Sequence, residues 1–103
     1  MRLEKSLEDD CVAIVERIGG QALKLALIGL RGWPDRTILL PGAHAFFCEF
    51  KREGGGKISA QQRKWGVVLR ALGFRVYFID KPKDFDDALA AEIRLARISA
   101  GLD

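Results

Sequence analysis

The chain has 103 residues, 49% of them hydrophobic and 30% charged, and a formal net charge of +3, which describes one globular domain rather than a disordered chain or two domains. A single histidine and two distant cysteines, Cys11 and Cys48, with no CxxC spacing, exclude a zinc site and a disulfide framework and fit a reducing compartment. The charged start Met1-Arg2-Leu3-Glu4-Lys5 and the lack of any apolar run near about 18 residues argue against a signal peptide and a membrane span, so a cytoplasmic location is expected, and the mild positive charge permits a polyanionic partner.

Residues 3–18 read as a helix, because Leu3, Leu7, Cys11, Ile14, Val15 and Ile18 recur every three or four positions, and Gly19-Gly20 stops it. Residues 21–28 are short and apolar and predict a strand at a first or edge position. Two glycines and a proline make 29–34 a loop. Asp35 then leads into a second strand, 36–40, and the turn pair Pro41-Gly42 returns the chain as an antiparallel third strand, 45–51. Residues 52–57 form a glycine-rich loop. Ser59 caps a helix reaching Leu72, with Trp65, Val68, Leu69 and Leu72 on its buried face and Gly73 as its stop. A fourth strand, 74–79, follows that helix, so a right-handed crossover and parallel pairing are expected. Residues 83–99 close the chain as a helix with Phe85, Ala88, Leu89, Glu92, Ile93 and Ala96 on one face. The predicted fold class is α/β, one domain over 1–103: a small mixed sheet flanked by helices in the order α-β-β-β-α-β-α.

Chemistry concentrates around Asp35 and the third strand. Side chains alternate on a strand, so Phe46, Cys48 and Phe50 form a core face while Phe47, Glu49 and Lys51 point the other way. Taken alone, Glu49 and Lys51 fit the solvated side of a half-exposed sheet. Asp35 shifts that balance, because the antiparallel third strand runs back toward the end where Asp35 enters the second. Convergent carboxylates of Asp35 and Glu49, with the carbonyl of Phe50, supply the hard oxygen ligands that Mg²⁺ or Mn²⁺ prefers. Lys51 would lie beside the metal, able to hold an attacking water and steady phosphate charge.

Three runs carry a resemblance: Gly29-Leu30-Arg31-Gly32-Trp33-Pro34-Asp35-Arg36, Phe47-Cys48-Glu49-Phe50-Lys51, and Gly56-Lys57-Ile58-Ser59-Ala60-Gln61-Gln62. In order and spacing they resemble the VRR-NUC family of PD-(D/E)xK nucleases, most closely its short, stand-alone phage and bacterial members. The resemblance implies a restriction-endonuclease-like core, Mg²⁺ or Mn²⁺ as cofactor and hydrolysis of DNA phosphodiesters. It implies a homodimer acting on four-way (Holliday) junctions, whereas fused members act on flapped DNA, and a location in a bacterial or phage-infected cell. Asp35 and Glu49 match the family's metal-binding acids and Lys51 its catalytic lysine. The family also uses a glutamate of the first helix, for which Glu8 fits better than Glu4 or Glu16, and a glutamine behind the serine cap, where Gln62 fits better than Gln61.

Arg31, Arg36, Arg52, Lys57, Arg63 and Lys64 flank this site and together would make a phosphate-holding rim. Gly54-Gly55-Gly56 is either a flap or a plain connector. His44, beside a Pro-Gly turn, is expected at the surface; Trp33 and Trp65 in the core or an interface; Cys11 and Cys48 as small core residues. The reading is a metal-dependent endonuclease for branched DNA. Its alternatives are a non-catalytic DNA-binding module on the same fold and a nuclease for flapped or linear DNA. The closing helix and the 21–28 strand are the expected dimer contacts.

Overall fold

Alternating apolar residues on short strands, joined by helices with one apolar stripe, leave two sheet faces to cover. The computed structural model describes residues 4–54 and 56–102; Leu3, expected on the first helix's stripe, and Gly55 lie outside them. The elements are α1 (Glu4–Arg17), β1 (Gln21–Leu23), β2 (Arg36–Leu40), β3 (His44–Phe50), α2 (Ala60–Ala71), β4 (Val76–Ile79) and α3 (Pro82–Ser99). The sheet order is β1-β2-β3-β4. β1, β2 and β3 are successively antiparallel, and β4 joins β3 in parallel, as the helical crossover requires.

One face carries the main core. Ile38, Leu40, Phe46, Cys48, Phe50 and Ile79 pack against Leu7, Cys11 and Val15 of α1 and Phe85, Ala88 and Leu89 of α3. Both cysteines are buried in it, and burial raises the Cys48 thiol well above its ordinary range. The other face is covered by α2, where Phe47, Leu69 and Val76 form a smaller cluster with Trp33. The Trp33 ring meets Phe47 and Trp65 edge-on at 5.5 Å each, and its indole N–H donates to Thr37 Oγ1 at 3.2 Å. Both tryptophans are thus packed, and the Glu49 side of the sheet is not a solvated one.

Several boundaries differ from expectation for local reasons. The strand expected over 21–28 ends at Leu23, whose partner is Thr37, because β2 itself begins at Arg36 and no strand remains for the chain to pair with. Leu25 and Ile28 consequently stand exposed in the following loop. The fourth strand starts at Val76, since the Phe74 amide bonds Leu69 O and still belongs to the exit of α2. Ile18, Leu72 and Ile93 are exposed although they continue their helices' apolar spacing: Ile18 and Leu72 fall just past the last turns of α1 and α2.

His44 is the clearest departure. Gly42 and Ala43 take positive φ angles of 91° and 58° and complete the turn, so His44 becomes the first residue of β3. Strand alternation then aims it at the face that holds Phe46, Cys48 and Phe50, beneath α3. There its Nε2 lies 2.7 Å from Glu92 Oε1. Glu92 is fully buried and also accepts from Arg75 Nε at 2.9 Å, from Arg75 Nη2 at 2.7 Å and from the Tyr77 hydroxyl. Burial alone would raise the Glu92 carboxyl, but the bonds from Arg75, Tyr77 and His44 outweigh it and hold it below the ordinary carboxylate range. The same burial and the Glu92 bond push the Tyr77 hydroxyl up.

This carboxylate anchors α3 to β3 and β4, so truncating it removes the buried acceptor that His44, Arg75 and Tyr77 share. Glu92→Ala should cost about 3 kcal/mol or more and lower Tm by on the order of 15 °C, read by thermal denaturation. An unchanged Tm would show that α3 is held by its apolar face alone.

Candidate active site

The end of β3 and the entry to β2 meet by register. Arg36 pairs with Cys48, so the next step outward brings Asp35 opposite Glu49. Asp35 Oδ2 accepts the Phe50 amide hydrogen at 2.7 Å, which fixes its carboxylate against the last residues of β3. Glu49 alternates with Phe47 toward α2 and is only 1% exposed. Its Oε1 is buried with no hydrogen-bond partner, alone in this among the described residues. Burial, then the negative charge of Asp35 and the hydrogen bond between the two carboxyl groups, push Glu49 up to about 8, while the Lys51 ammonium pulls the other way.

Lys51 extends from the same face and donates from Nζ to Gln62 Oε1 at 3.0 Å. The same oxygen accepts the Ser59 amide at 2.9 Å, and the Gln62 amide returns a bond to Ser59 Oγ at 3.1 Å, a reciprocal capping box at the start of α2. Gln62 therefore serves as helix cap and lysine partner together, whereas Gln61 is exposed. Two glycines permit this packing. A Cβ on Gly56 would come within 2.3 Å of Lys51 Cβ, so the loop after β3 runs directly along the lysine stem. Gly32, at φ 85°, touches the first turn of α2, where a Cβ would meet the Gln61 carbonyl carbon at 2.3 Å. The loop bearing Pro34 and Asp35 is thereby seated against the helix bearing Gln62.

Glu8 is engaged by the residue that follows Asp35. It is 5% exposed on α1, on the same edge as Cys11 and Val15, and its Oε2 is 2.6 Å from Arg36 Nε. Arg36 Nη1 also donates to Ala22 O at 3.0 Å, so its guanidinium is engaged inside the protein rather than offered to a phosphate. Glu4 and Glu16 are exposed. Among the described residues no three His, Cys, Asp or Glu side chains are grouped to hold one ion, so the acidic centre is the pair Asp35 and Glu49. The pair fits a divalent cation: an unsatisfied buried carboxylate oxygen beside a second carboxylate is a donor set that needs positive charge.

Of the expected rim, Arg31, Arg52, Lys57, Arg63 and Lys64 are exposed. They flank the centre through the loop before Asp35, the residue after Lys51, the loop after Gly56 and the first turns of α2. Lys64 Nζ stands 6.0 Å over the Trp65 ring. A cleft beside Lys51 is also walled by Gly54, Gly56, Phe78, Asp80 and Asp84. No local motif marks Asp80; its signal is the parallel register, in which Phe50 pairs with Ile79 and Lys51 therefore comes level with Asp80. Burial and a hydrogen bond with Asp80 raise the Asp84 carboxyl above its ordinary value.

No family model matches the chain. It is 39% identical over 93 residues to "Putative nuclease p44" of Acyrthosiphon pisum secondary endosymbiont phage 1, a match spanning 88% of this chain and 98% of that protein. A solved structure described as "VRR_NUC domain" superposes with a TM-score of 0.80 over 87% of this chain and 97% of its own, at 24% identity, and shares its fold. Together with the Pro34-Asp35 and Glu49-Phe50-Lys51 centre, these likenesses identify the chain as a member of the VRR-NUC family of PD-(D/E)xK nucleases.

Proposed function

We propose that this nuclease is a metal-dependent endonuclease that hydrolyses phosphodiesters of branched DNA. The observation that carries the chemistry is the buried, unpartnered Oε1 of Glu49 beside Asp35. Asp35, Glu49 and the Phe50 carbonyl are the oxygen donors that would hold Mg²⁺ or Mn²⁺. The ion, when bound, supplies positive charge that offsets both carboxylates and the charge building on the phosphate. Lys51, set by Gln62 and by the Gly56 backbone, holds the attacking water in line with the phosphorus and attracts the phosphate oxygens. The exposed Arg31, Arg52, Lys57, Arg63 and Lys64 hold the neighbouring phosphates, so binding weakens as salt rises.

Asp35→Ala and Lys51→Ala should each lower cleavage by about 100-fold or more while the far-UV circular dichroism stays native. Undiminished nicking by either purified variant would remove it from the centre.

Metal-free stability should fall with pH. The folded state keeps a proton on Glu49 up to about 8, whereas the unfolded chain releases it near 4.5. The stabilisation from that proton is thus complete below the unfolded value and lost as pH rises through the folded one. Glu49→Gln should flatten this decline and raise the metal-free Tm at pH 9 by about 5 °C. Mn²⁺ affinity of the wild type, measured by calorimetry, should tighten by up to about tenfold per pH unit below 8, because the ion displaces that proton. A pH-independent affinity between 6 and 8 would sink this assignment.

The substrate we propose is a four-way junction cut by a two-fold dimer, since two sites in fixed relation match its symmetry better than one small domain does. Exposed Leu25 and Ile28 after β1 and exposed Ile93, Leu95 and Ile98 on α3 support the two segments expected to make dimer contacts. Light scattering should give twice the chain mass, and a gel panel should show the junction cut at least about tenfold faster than linear duplex, the equivalent of 1.4 kcal/mol. Equal cutting of duplex and junction would refute the preference.

A further inference from the structure

The chain between β1 and β2 is rooted at both ends and apolar at its tip. At one end β1 pairs with β2; at the other Gly32 lies against Gln61 of α2, Trp33 packs on Phe47 and Pro34 is buried. Between these roots the Leu30 amide donates to Leu27 O at 3.3 Å and closes a turn. Its third residue, Gly29, has a φ of 77° and open space around it, the left-handed position that a type II turn requires. Leu27 is half-buried, whereas Ile28 at the corner of the turn is fully exposed. Leu25 and Leu30 are exposed on either side, so the tip is an apolar cluster rather than one scattered residue. Lys24 and Arg31 are exposed beside it, and residues 19–34 contain no acidic side chain. An apolar tip between cations suits DNA, because the cations hold phosphates while the apolar group covers base faces.

We propose that Ile28 is a wedge for the branch point of DNA, entering between bases left unstacked where strands diverge, with Lys24 and Arg31 on the adjoining phosphates. This rests on the branched-DNA reading of the centre and names the residue that recognises the branch. An intact duplex must be unstacked to admit the side chain, whereas a branch point is already open, so the contact favours branched substrate. The dimer contact expected of this segment then falls to Leu25, beside β1. Asp35 lies seven residues beyond Ile28, which limits the distance from tip to acidic centre to about 25 Å. At about 3.4 Å per nucleotide of one strand, the cut bond lies within about seven nucleotides of the branch.

The test places 2-aminopurine, a base whose fluorescence rises on unstacking, at the branch point of a four-way junction and, as a control, well inside one arm. Binding of the full chain without metal, so that no strand is cut, should raise the signal at the branch and leave the arm unchanged. Ile28→Ser should lose the rise, and Ile28→Met, which keeps an apolar wedge, should restore it. In Mn²⁺, Ile28→Ser should lower the ratio of junction to duplex cleavage rates by about tenfold, and Ile28→Met should return it to within about threefold of the wild type. Because Ile28 is exposed, both variants should fold as the wild type does, read by circular dichroism. Preference or branch signal kept in Ile28→Ser would overturn the wedge and leave the branched-DNA reading standing, as would cuts farther from the branch than the loop can reach. A wild type that cuts duplex as fast as junction would overturn that reading and the wedge with it. A monomer on Ile28→Ser, seen by light scattering, would place the residue in the dimer seam and overturn the proposal as well.

Discussion

The hydrogen bond from the Phe50 amide to Asp35 is the constraint on which the site depends. It brings a carboxylate at the mouth of β2 against the last residues of β3, where Glu49 is already buried. The result is electrostatically costly, since two acids share a desolvated corner and Glu49 is driven far from its ordinary range. Such a corner persists only if the surrounding fold is stable without it. The apolar face made by Phe46, Cys48, Phe50 and Ile79 against α1 and α3 provides that reserve, because it uses the alternate residues of the very strand that carries Glu49. One seven-residue strand therefore divides its labour by parity.

Two buried glutamates make the distinction between structural and functional charge concrete. Glu92 receives hydrogen bonds from Arg75, Tyr77 and His44, and its carboxyl is held low. Glu49 has an oxygen with no donor, and its carboxyl is pushed high. Burial is equally severe for both, so the difference is the company each keeps. A carboxylate satisfied by the protein contributes to docking a helix; one left unsatisfied holds a proton that a cation can displace. They serve opposite faces of the sheet, Glu49 beside Phe47 toward α2 and Glu92 with His44 beneath α3, which keeps the helix anchor clear of the chemistry.

Much of this was legible in the chain. The alternation over 45–51 gave both the core face and the Glu49–Lys51 face, the Pro41-Gly42 turn gave the antiparallel pairing, and the Ser59 cap with Gln62 gave the start of α2 together with a site residue. What escaped depended on partners that a linear pattern does not contain. The apolar run 21–28 has strand character throughout, yet only 21–23 find a neighbour. His44 looked like turn periphery because its burial follows from the positive φ of Ala43, an unusual conformation for a non-glycine residue. Arg36 read as one more basic residue beside the site; its commitment to Glu8 spans 28 residues of sequence and is set by how α1 crosses the sheet. In each case the sequence carries the local propensity and tertiary pairing decides the outcome.

The glycines around the centre bear on the same point. Gly32 and Gly56 invite a reading as flexible hinges or as a flap over the substrate. Each is instead a place where backbone is pressed against another element with no room for a Cβ, Gly32 on the first turn of α2 and Gly56 on the stem of Lys51. Absence of a side chain here creates contact rather than freedom. Lys51 is consequently confined from two directions, by Gly56 along its stem and by Gln62 at its ammonium. A lysine confined in this way loses less rotational entropy on engaging a phosphate than one on an open surface. The glycine spacing and the Ser59 cap thus belong to the same device as the acidic pair: the acids create a demand for positive charge, and the loop and helix fix where the protein's own cation meets it.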